Sequence, residues 1–490
     1  MSLQSASGSH VSDDVAYLTA GELAQQFEQG ALSPVEVARA LLDRVEALDL
    51  FVNAFVHVDP EATLAMARAS ESRRSRGEQL GPLDGVPVTI KDLTAVAGWP
   101  LKRGSPALQD DPPPRSDAPA VARLREAGAV FLGKTATPDA GSKIVTRSLV
   151  HGVTRNPYDL ARTPGGSSGG ASAALALGFG PLALGTDGAG SIRIPAAWSG
   201  VFGLKPSFGR VPAYPPDSDM PHSVAGPMTR SVDDAVAFLD VIARADSRDP
   251  YALVLPLDRH AAEAKNVAGL RVGVTRDFGL RTPFLDDAVH RAVHEAAEAL
   301  RQAGATLVEV SPTWPCDPFE TFVVFWEAGY AGFLHTAYSG EKSSRMDPDL
   351  LAIAERGLRV DIVTYHRALG ERVALAAASK ALFNSLDLLI GPVMPGSPPL
   401  VERDAPEGFA PGDWRWCPFT YLWNMTGQPA ASVPWGLDEL GLPVGVQIVG
   451  PVAGEAAILR ASRVVEAAGA HLLPRPVLPA TSLATSRSAA

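Results

Sequence analysis

The chain has 490 residues, 46% of them hydrophobic and 20% charged, an ordinary globular composition with material for a large core. Lysine and arginine number 43 against 54 aspartate and glutamate, and the formal net charge of −11 offers no footprint for nucleic acid or an anionic membrane surface. Two cysteines, Cys316 and Cys417, cannot staple a chain of this size. They read as idle thiols in a reducing compartment, with one long-range disulfide left open.

The polar start MSLQSASGSHVSDD has neither the basic opening nor the apolar run of a signal peptide. Thr19-Ala-Gly-Glu22 and Ser33-Pro34-Val35-Glu36 are capping-box patterns, the second with proline at the first helical position. Helical periodicity follows, with Val37, Leu41, Leu42, Val45 and Leu48 on one face. A second amphipathic stretch follows Asp59. Gly85-Val-Pro-Val-Thr-Ile-Lys91-Asp92 is a short β-branched run bounded by turn residues and predicts a buried strand ending at Lys91.

A helix is expected from Ser116 to Gly128, then the strand Ala129–Gly133, then a long polar connection to a Gly/Ser-rich stretch at 165–170. The longest apolar run, Gly169 to Gly185, is crowded with glycine and alanine. It predicts a buried helix and strand, not a membrane span. Strand and helix patterns keep alternating at Leu270–Val274, Leu285–Ala303 and Thr306–Val310. Leu388–Val393 and Val444–Gly450 read as late strands. Such alternation predicts an α/β fold layered on a large sheet. No repeat or linker divides it, so the expected layout is a flexible leader at 1–15, one domain at 16–478 and a flexible tail at 479–490. A soluble, cytoplasmic protein is expected, with a homodimer as the default assembly.

The chemistry-bearing segments are Gly165-Gly-Ser167-Ser168-Gly-Gly170 and Gly185-Thr-Asp187-Gly188-Ala189-Gly190-Ser191-Ile-Arg193-Ile-Pro195. Stretches so rich in glycine and serine make tight turns and bare N–H groups, the material of an anion- or oxyanion-binding surface. A P-loop needs Lys after its glycines, and none follows here. A dinucleotide fingerprint needs GxGxxG between a strand and a helix, which neither segment supplies. Gly165-Gly-Ser167-Ser-Gly169 does fit the GxSxG nucleophile elbow. That elbow should follow a hydrophobic strand, whereas the Pro-rich polar stretch 155–164 precedes it here. His222, which a triad would need, has no evident acidic partner.

Together with the strand ending at Lys91, these segments resemble the amidase signature family. The GGSSGG stretch, the TD-x-x-GS-x-R-x-P block and the upstream Lys-Asp match in order and separation. The resemblance runs from the helices near residue 19 to Gly427-Gln-Pro-Ala430 and Gly445-Val-Gln-Ile448. Within the family the chain looks most like the bacterial branch of nylon-oligomer cyclic-dimer hydrolases and aryl acylamidases.

The resemblance implies a single large α/β domain, a central mixed sheet flanked by helices. It implies a Ser–cisSer–Lys triad: Ser191 as nucleophile, Ser167 after a cis peptide bond as proton relay, and Lys91 as base. A lysine of ordinary pKa, about 10.4, is useless as a base at neutral pH, so burial must depress it. The competing reading of Lys91 is a structural pair with Asp92. The oxyanion donors would be the backbone N–H groups of Gly188, Ala189, Gly190 and Ser191, although many relatives carry a bulkier residue and then glycine at 188–189. Asp187 and Arg193 read as a structural pair and Ser168 as a supporting hydrogen-bonder. Trp414, Trp416, Phe419, Tyr421, Trp423 and Asn424 are the substrate-pocket candidates, with a packed aromatic core as the competing reading.

No cofactor or metal is implied, and the expected partner is a small amide-type substrate. The alternative is the glutamine-hydrolysing subunit of a tRNA-dependent amidotransferase. The stretch Gly141-Ser-Lys-Ile-Val-Thr-Arg147 departs from the glycine- and serine-rich sequence expected there.

Overall fold

The computed structural model describes residues 15–215, 222–410 and 412–478. Nearly all of the leader and the whole tail assigned from sequence lie outside them. In chain order the strands are β1 (Phe55–His57), β2 (Pro87–Lys91), β3 (Val130–Thr135), a small hairpin of β4 (Arg147–Ser148) and β5 (Gly152–Val153), and β6 (Leu182–Asp187). They continue with β7 (Phe202–Lys205), β8 (Val224–Thr229), β9 (Arg271–Val274), β10 (Thr306–Glu309), β11 (Leu388–Pro392), β12 (Ala430–Leu437) and β13 (Pro443–Val449). All but the hairpin join one 11-stranded sheet in the order β1-β3-β2-β6-β8-β7-β12-β13-β11-β9-β10.

The sheet is mixed. β2 runs parallel to both β3 and β6, and β9 parallel to β10 and β11, while the strands between them pair antiparallel. Every residue of β2, β3 and β11 is buried, as expected for strands covered by helices on both faces. The chain is therefore one large α/β domain, and each strand read from sequence enters this sheet.

Local chemistry sets the early helices. Thr19 and Ser33 each close a reciprocal capping box, with Glu22 and Glu36, at the starts of Ala20–Glu28 and Pro34–Val52. Asp59 caps Pro60–Ser75. Val37, Leu41 and Val45 of the predicted face are buried, and Leu42 and Leu48 are half-buried. Strands β7, β8 and β12 were not legible: β8 carries Gly226 and Pro227, and β12 carries Pro434 and Gly436, which dilute the β-branched signal. Nor were the helices Pro318–His335 and Ile362–Leu382. The first of these anchors an aromatic-rich core with the 414–425 stretch, against the end of the sheet where Ala189 and Ile194 lie. Among the described residues no helix is long and apolar enough to cross a membrane.

Candidate active site

Lys91 is the last residue of β2 and Asp187 the last of β6, and these strands are parallel neighbours with Ile90 opposite Leu184. Lys91 and the Gly185–Pro195 segment therefore sit at the carboxyl ends of adjacent strands, where ligands collect in open α/β sheets. The helices Gly169–Ala176 and Arg193–Trp198 start there too, immediately after Ser168 and Ile192.

Lys91 is fully buried, and its Nζ lies 2.7 Å from Ser167 Oγ, 3.0 Å from Thr186 Oγ1 and 3.4 Å from the Thr186 carbonyl. Burial, opposed by the Asp187 charge, holds its amine well below the ordinary lysine value. The rival pairing with Asp92 is absent. Adjacent residues at a strand end point to opposite faces, and Asp92 turns to Lys134 at 2.9 Å. Lys91 therefore has no carboxylate partner among the described residues.

The Gly166–Ser167 peptide is cis, as the family resemblance implied. A side chain at Gly166 would meet the Ile144 and Val145 backbone at 2.8–2.9 Å, so only glycine lets the segment thread past that loop. Ser168 has the supporting role expected of it. Its N–H donates to the Ser191 carbonyl at 3.1 Å and its Oγ to the Thr186 carbonyl at 3.2 Å, tying the two segments together.

The Ser191 loop is organised around Asp187. Arg193 and Asp187 form a wholly buried ion pair at 3.0 Å. Burial alone would raise the Asp187 carboxyl, but the Arg193 guanidinium overrides it and holds the group well below the carboxylate range. Asp187 Oδ1 also accepts the Gly190 N–H at 2.6 Å. This corrects one sequence expectation: the Gly190 N–H is directed at Asp187, so it is not a free oxyanion donor. The other side of that peptide is tied as well, since Thr420 Oγ1 donates to the Ala189 carbonyl at 2.6 Å. A Cβ on Gly190, where φ is +123°, would meet Thr420 Oγ1 at 2.5 Å. The N–H groups of Gly188, Ala189 and Ser191 find no acceptor among the described residues.

The pocket candidates divide. Asn424 is a brace, not a ligand: its Nδ2 donates to the Asp187 carbonyl at 2.8 Å and its Oδ1 accepts from Arg193 at 2.5 Å. Trp416 stacks on Trp198, Trp423 packs edge-on to Phe278 and Trp314, and Phe419 leans on Phe278. These three have the packed-core role of the competing reading. Trp414 and Tyr421 instead back the Pro318–His335 helix through Phe322 and Trp326.

Sequence reasoning missed Thr186, which touches Lys91, and Trp326, whose ring edge lies 3.8 Å from the Cβ position at Gly188. Aromatics at 319, 322, 326, 330 and 333, one helical turn apart, were the available signal for the latter. His222 is buried, and burial then the Arg372 charge push its pKa down to about 3. Among the described residues neither ring nitrogen is hydrogen-bonded, so it lacks the serine and carboxylate contacts that a nucleophile elbow's histidine makes.

Known proteins resemble the chain over most of its length. The amidase family's sequence model matches residues 36–459. An acylamidase of Rhodococcus erythropolis is 36% identical over 92% of this chain and 95% of its own length. A glutamyl-tRNA(Gln) amidotransferase subunit from Rhodopirellula baltica is also 36% identical, over 94% of this chain and 98% of its own. Among solved structures, a bacterial aryl acylamidase of the amidase signature family superposes with a TM-score of 0.86 at 30% identity, covering 93% of this chain and 97% of that one. A 6-aminohexanoate cyclic dimer hydrolase bound to its substrate gives 0.84 at 29% identity, over 94% and 99%.

Proposed function

The chain belongs to the amidase family, and on that premise we propose that it is a serine amidohydrolase cleaving a carboxamide-type C–N bond through an acyl-enzyme on Ser191. The bond is that of an amide, anilide, cyclic amide or carbamate. The observation that carries this reading is the buried, carboxylate-free amine of Lys91 at 2.7 Å from Ser167 Oγ.

In the proposed sequence Ser191 Oγ attacks the carbonyl carbon. Its proton passes to Ser167 Oγ while the Ser167 proton passes to neutral Lys91, leaving an ammonium and a tetrahedral oxyanion. The N–H groups of Gly188, Ala189 and Ser191 are the donors available to that oxyanion, each worth roughly 3–4 kcal/mol of barrier in comparable acyl-transfer sites. As the C–N bond breaks, the Lys91 proton returns through Ser167 to the leaving nitrogen. Water then attacks the ester by the same relay and releases the acid. Thr186 accepts from the Lys91 amine through its hydroxyl and carbonyl, which supports a fixed lone-pair direction toward Ser167.

The proposal includes a catalytic unit spanning 16–478, a cytoplasmic setting supported by the free thiols of Cys316 and Cys417, and a homodimer as the default assembly. The test is direct. The purified chain, with no partner protein, should hydrolyse 4-nitroacetanilide, and a serine-directed fluorophosphonate should label Ser191. Ser191→Ala should abolish both. Labelling of Ser167 with Ser191 free would overturn the assignment, and turnover of glutamine only in the presence of partner proteins would favour the amidotransferase role.

A further inference from the structure

One hydroxyl outside the GGSSGG stretch holds the bend that carries Ser167. Ser167 is the central residue between Gly165 and Gly169, and its Oγ lies 2.7 Å from Lys91 Nζ. Thr146 is buried beside that bend, where its Oγ1 donates to the Gly165 carbonyl at 2.8 Å and accepts the Gly169 N–H at 3.1 Å. A threonine hydroxyl has one proton to give and lone pairs to receive, so it meets both needs at once. The second bond also caps a helix. Gly169 opens Gly169–Ala176, whose first N–H groups have no acceptor within the helix. Ser168 stands at the capping position but makes no cap, because its Oγ donates to the Thr186 carbonyl. Thr146 takes over that task from upstream.

The loop around Thr146 is itself fixed. The Thr146 carbonyl accepts the Thr154 N–H at 2.9 Å. Earlier in the same loop Lys143 pairs with Asp347 at 3.1 Å, Asp349 at 2.6 Å and Asp404 at 3.5 Å. Asp139 accepts from Tyr338 Oη at 2.7 Å and from the Asp347 N–H at 3.0 Å. The bend fits this frame without slack. A Cβ at Gly169 would meet Thr146 Oγ1 at 2.3 Å, and one at Gly141 would meet Ser167 Oγ at 3.1 Å. Loss of the Thr146 bonds frees both ends of the bend, and Ser167 lies between them.

We infer that Thr146 is a positioning residue, whose hydroxyl keeps Ser167 Oγ where it can pass protons between Lys91 and the reacting groups. The inference rests on the Ser191 acyl-enzyme reading and adds to it a residue that touches none of the reacting atoms. An amide uses the relay twice before the acyl-enzyme stands: once to take the Ser191 proton, and once to deliver a proton to the departing nitrogen, which is too basic to leave as an anion. A 4-nitrophenyl ester uses it once, because nitrophenolate leaves without a proton. A displaced relay therefore penalises the amide more than the ester. A smaller folded fraction lowers both alike.

The experiment measures kcat/KM on 4-nitroacetanilide and 4-nitrophenyl acetate, which form the same acetyl-enzyme. Thr146→Val keeps the shape of the side chain and removes both hydrogen bonds. Misplacement of a catalytic group by about 1 Å costs on the order of a hundredfold. Thr146→Val should accordingly lower the anilide rate about tenfold to a hundredfold, mainly in kcat, and the ester rate by less than about threefold. Thr146→Ser, which keeps the hydroxyl, should restore the anilide-to-ester ratio. Equal losses on the two probes in Thr146→Val, or a ratio that Thr146→Ser does not restore, overturns the inference. Should Thr146→Val fail to fold, Thr146→Cys decides, because a thiol donates and accepts weakly: the ratio should fall at least about threefold, and an unchanged ratio overturns the inference. Fluorophosphonate labelling keeps the two levels apart. A labelled Ser191 and an unchanged ratio in the variants remove only the role of Thr146. No label and no turnover of either probe by the unmutated chain remove the acyl-enzyme reading, and this inference with it.

Discussion

Asp187→Asn tests whether one buried charge holds the loop that carries Ser191. Oδ1 of Asp187 accepts the Gly190 N–H at 2.6 Å, an Arg193 guanidinium nitrogen at 3.0 Å and Asn424 Nδ2 at 3.0 Å. Oδ2 accepts the Ile192 N–H at 3.2 Å, the Arg193 N–H at 3.5 Å and Arg193 Nε at 3.0 Å. An amide at this position turns one acceptor into a donor facing donors and leaves the guanidinium buried without its anion. Breaking one side of a buried pair costs about 3–5 kcal/mol, and each orphaned donor about 1–3 kcal/mol. These terms belong to one network and do not add. The expected loss is therefore about 4 kcal/mol or somewhat more, a large share of the roughly 5–15 kcal/mol that stabilises a typical fold. Urea unfolding followed by tryptophan fluorescence measures it for Asp187→Asn, Arg193→Met and the double variant. The double variant should lose at least about 1.5 kcal/mol less than the sum of the singles, because removing the guanidinium removes the stranded charge. A loss below about 1 kcal/mol for Asp187→Asn, or strict additivity, refutes the argument.

Two further expectations concern the buried lysines. Amide hydrolysis should fall as pH drops through the depressed pKa of Lys91, because only the neutral amine accepts a proton. Lys91→Met should lower the rate at least about a hundredfold and abolish that acid limb, whereas a surviving limb in the residual activity would assign it to another group. Lys205 lies between two buried ion pairs, Asp187–Arg193 and Glu455–Arg210, and its Nζ donates to the Pro206 carbonyl. Burial and the Arg193 charge, opposed by Asp187 and Glu455, push it down to about 7 from an ordinary 10.5. Between those values the unfolded chain holds a proton that the native chain lacks, so stability rises with pH across that window, by at most about 1.4 kcal/mol per pH unit from this group. Lys205→Met should flatten the rise seen in urea titrations from pH 7 to 10. An unchanged slope would show that Lys205 keeps its proton when folded.

The candidate centre was legible because its elements are encoded locally. A strand that must end in a turn at Lys91, a serine flanked by glycines at 165–170 and a turn opening into a helix after Asp187 lie in three short segments; the parallel pairing of β2 with β6 brings the first and third together, and the Ser168 N–H on the Ser191 carbonyl ties in the second. Lys91 and Asp92 could be told apart only by strand alternation, which sends Asp92 to Lys134. The aromatic helix beside the Ser191 loop was not legible. That helix, Pro318–His335, is distant in the chain, and its aromatic periodicity marks a buried face without saying what the face covers.

The misreading of Asn424 has a more exact cause. A guanidinium has five N–H bonds, and at zero exposure each needs an acceptor. The two oxygens of Asp187 take Nε and one bond of a terminal nitrogen, which leaves three. Asn424 Oδ1 takes one at 2.5 Å, the Thr420 carbonyl another at 2.9 Å and Gln447 Oε1 the last at 2.8 Å. Gln447 stands in β13 with hydrophobic neighbours on both sides, and an amide there has no reason to be buried except such a demand. Once Arg193 is read as paired with Asp187 and buried, the donor count itself requires polar acceptors from elsewhere in the chain. Asn424 and Gln447, each an amide inside an apolar stretch, are therefore structural partners of the arginine before they are candidates for contact with substrate.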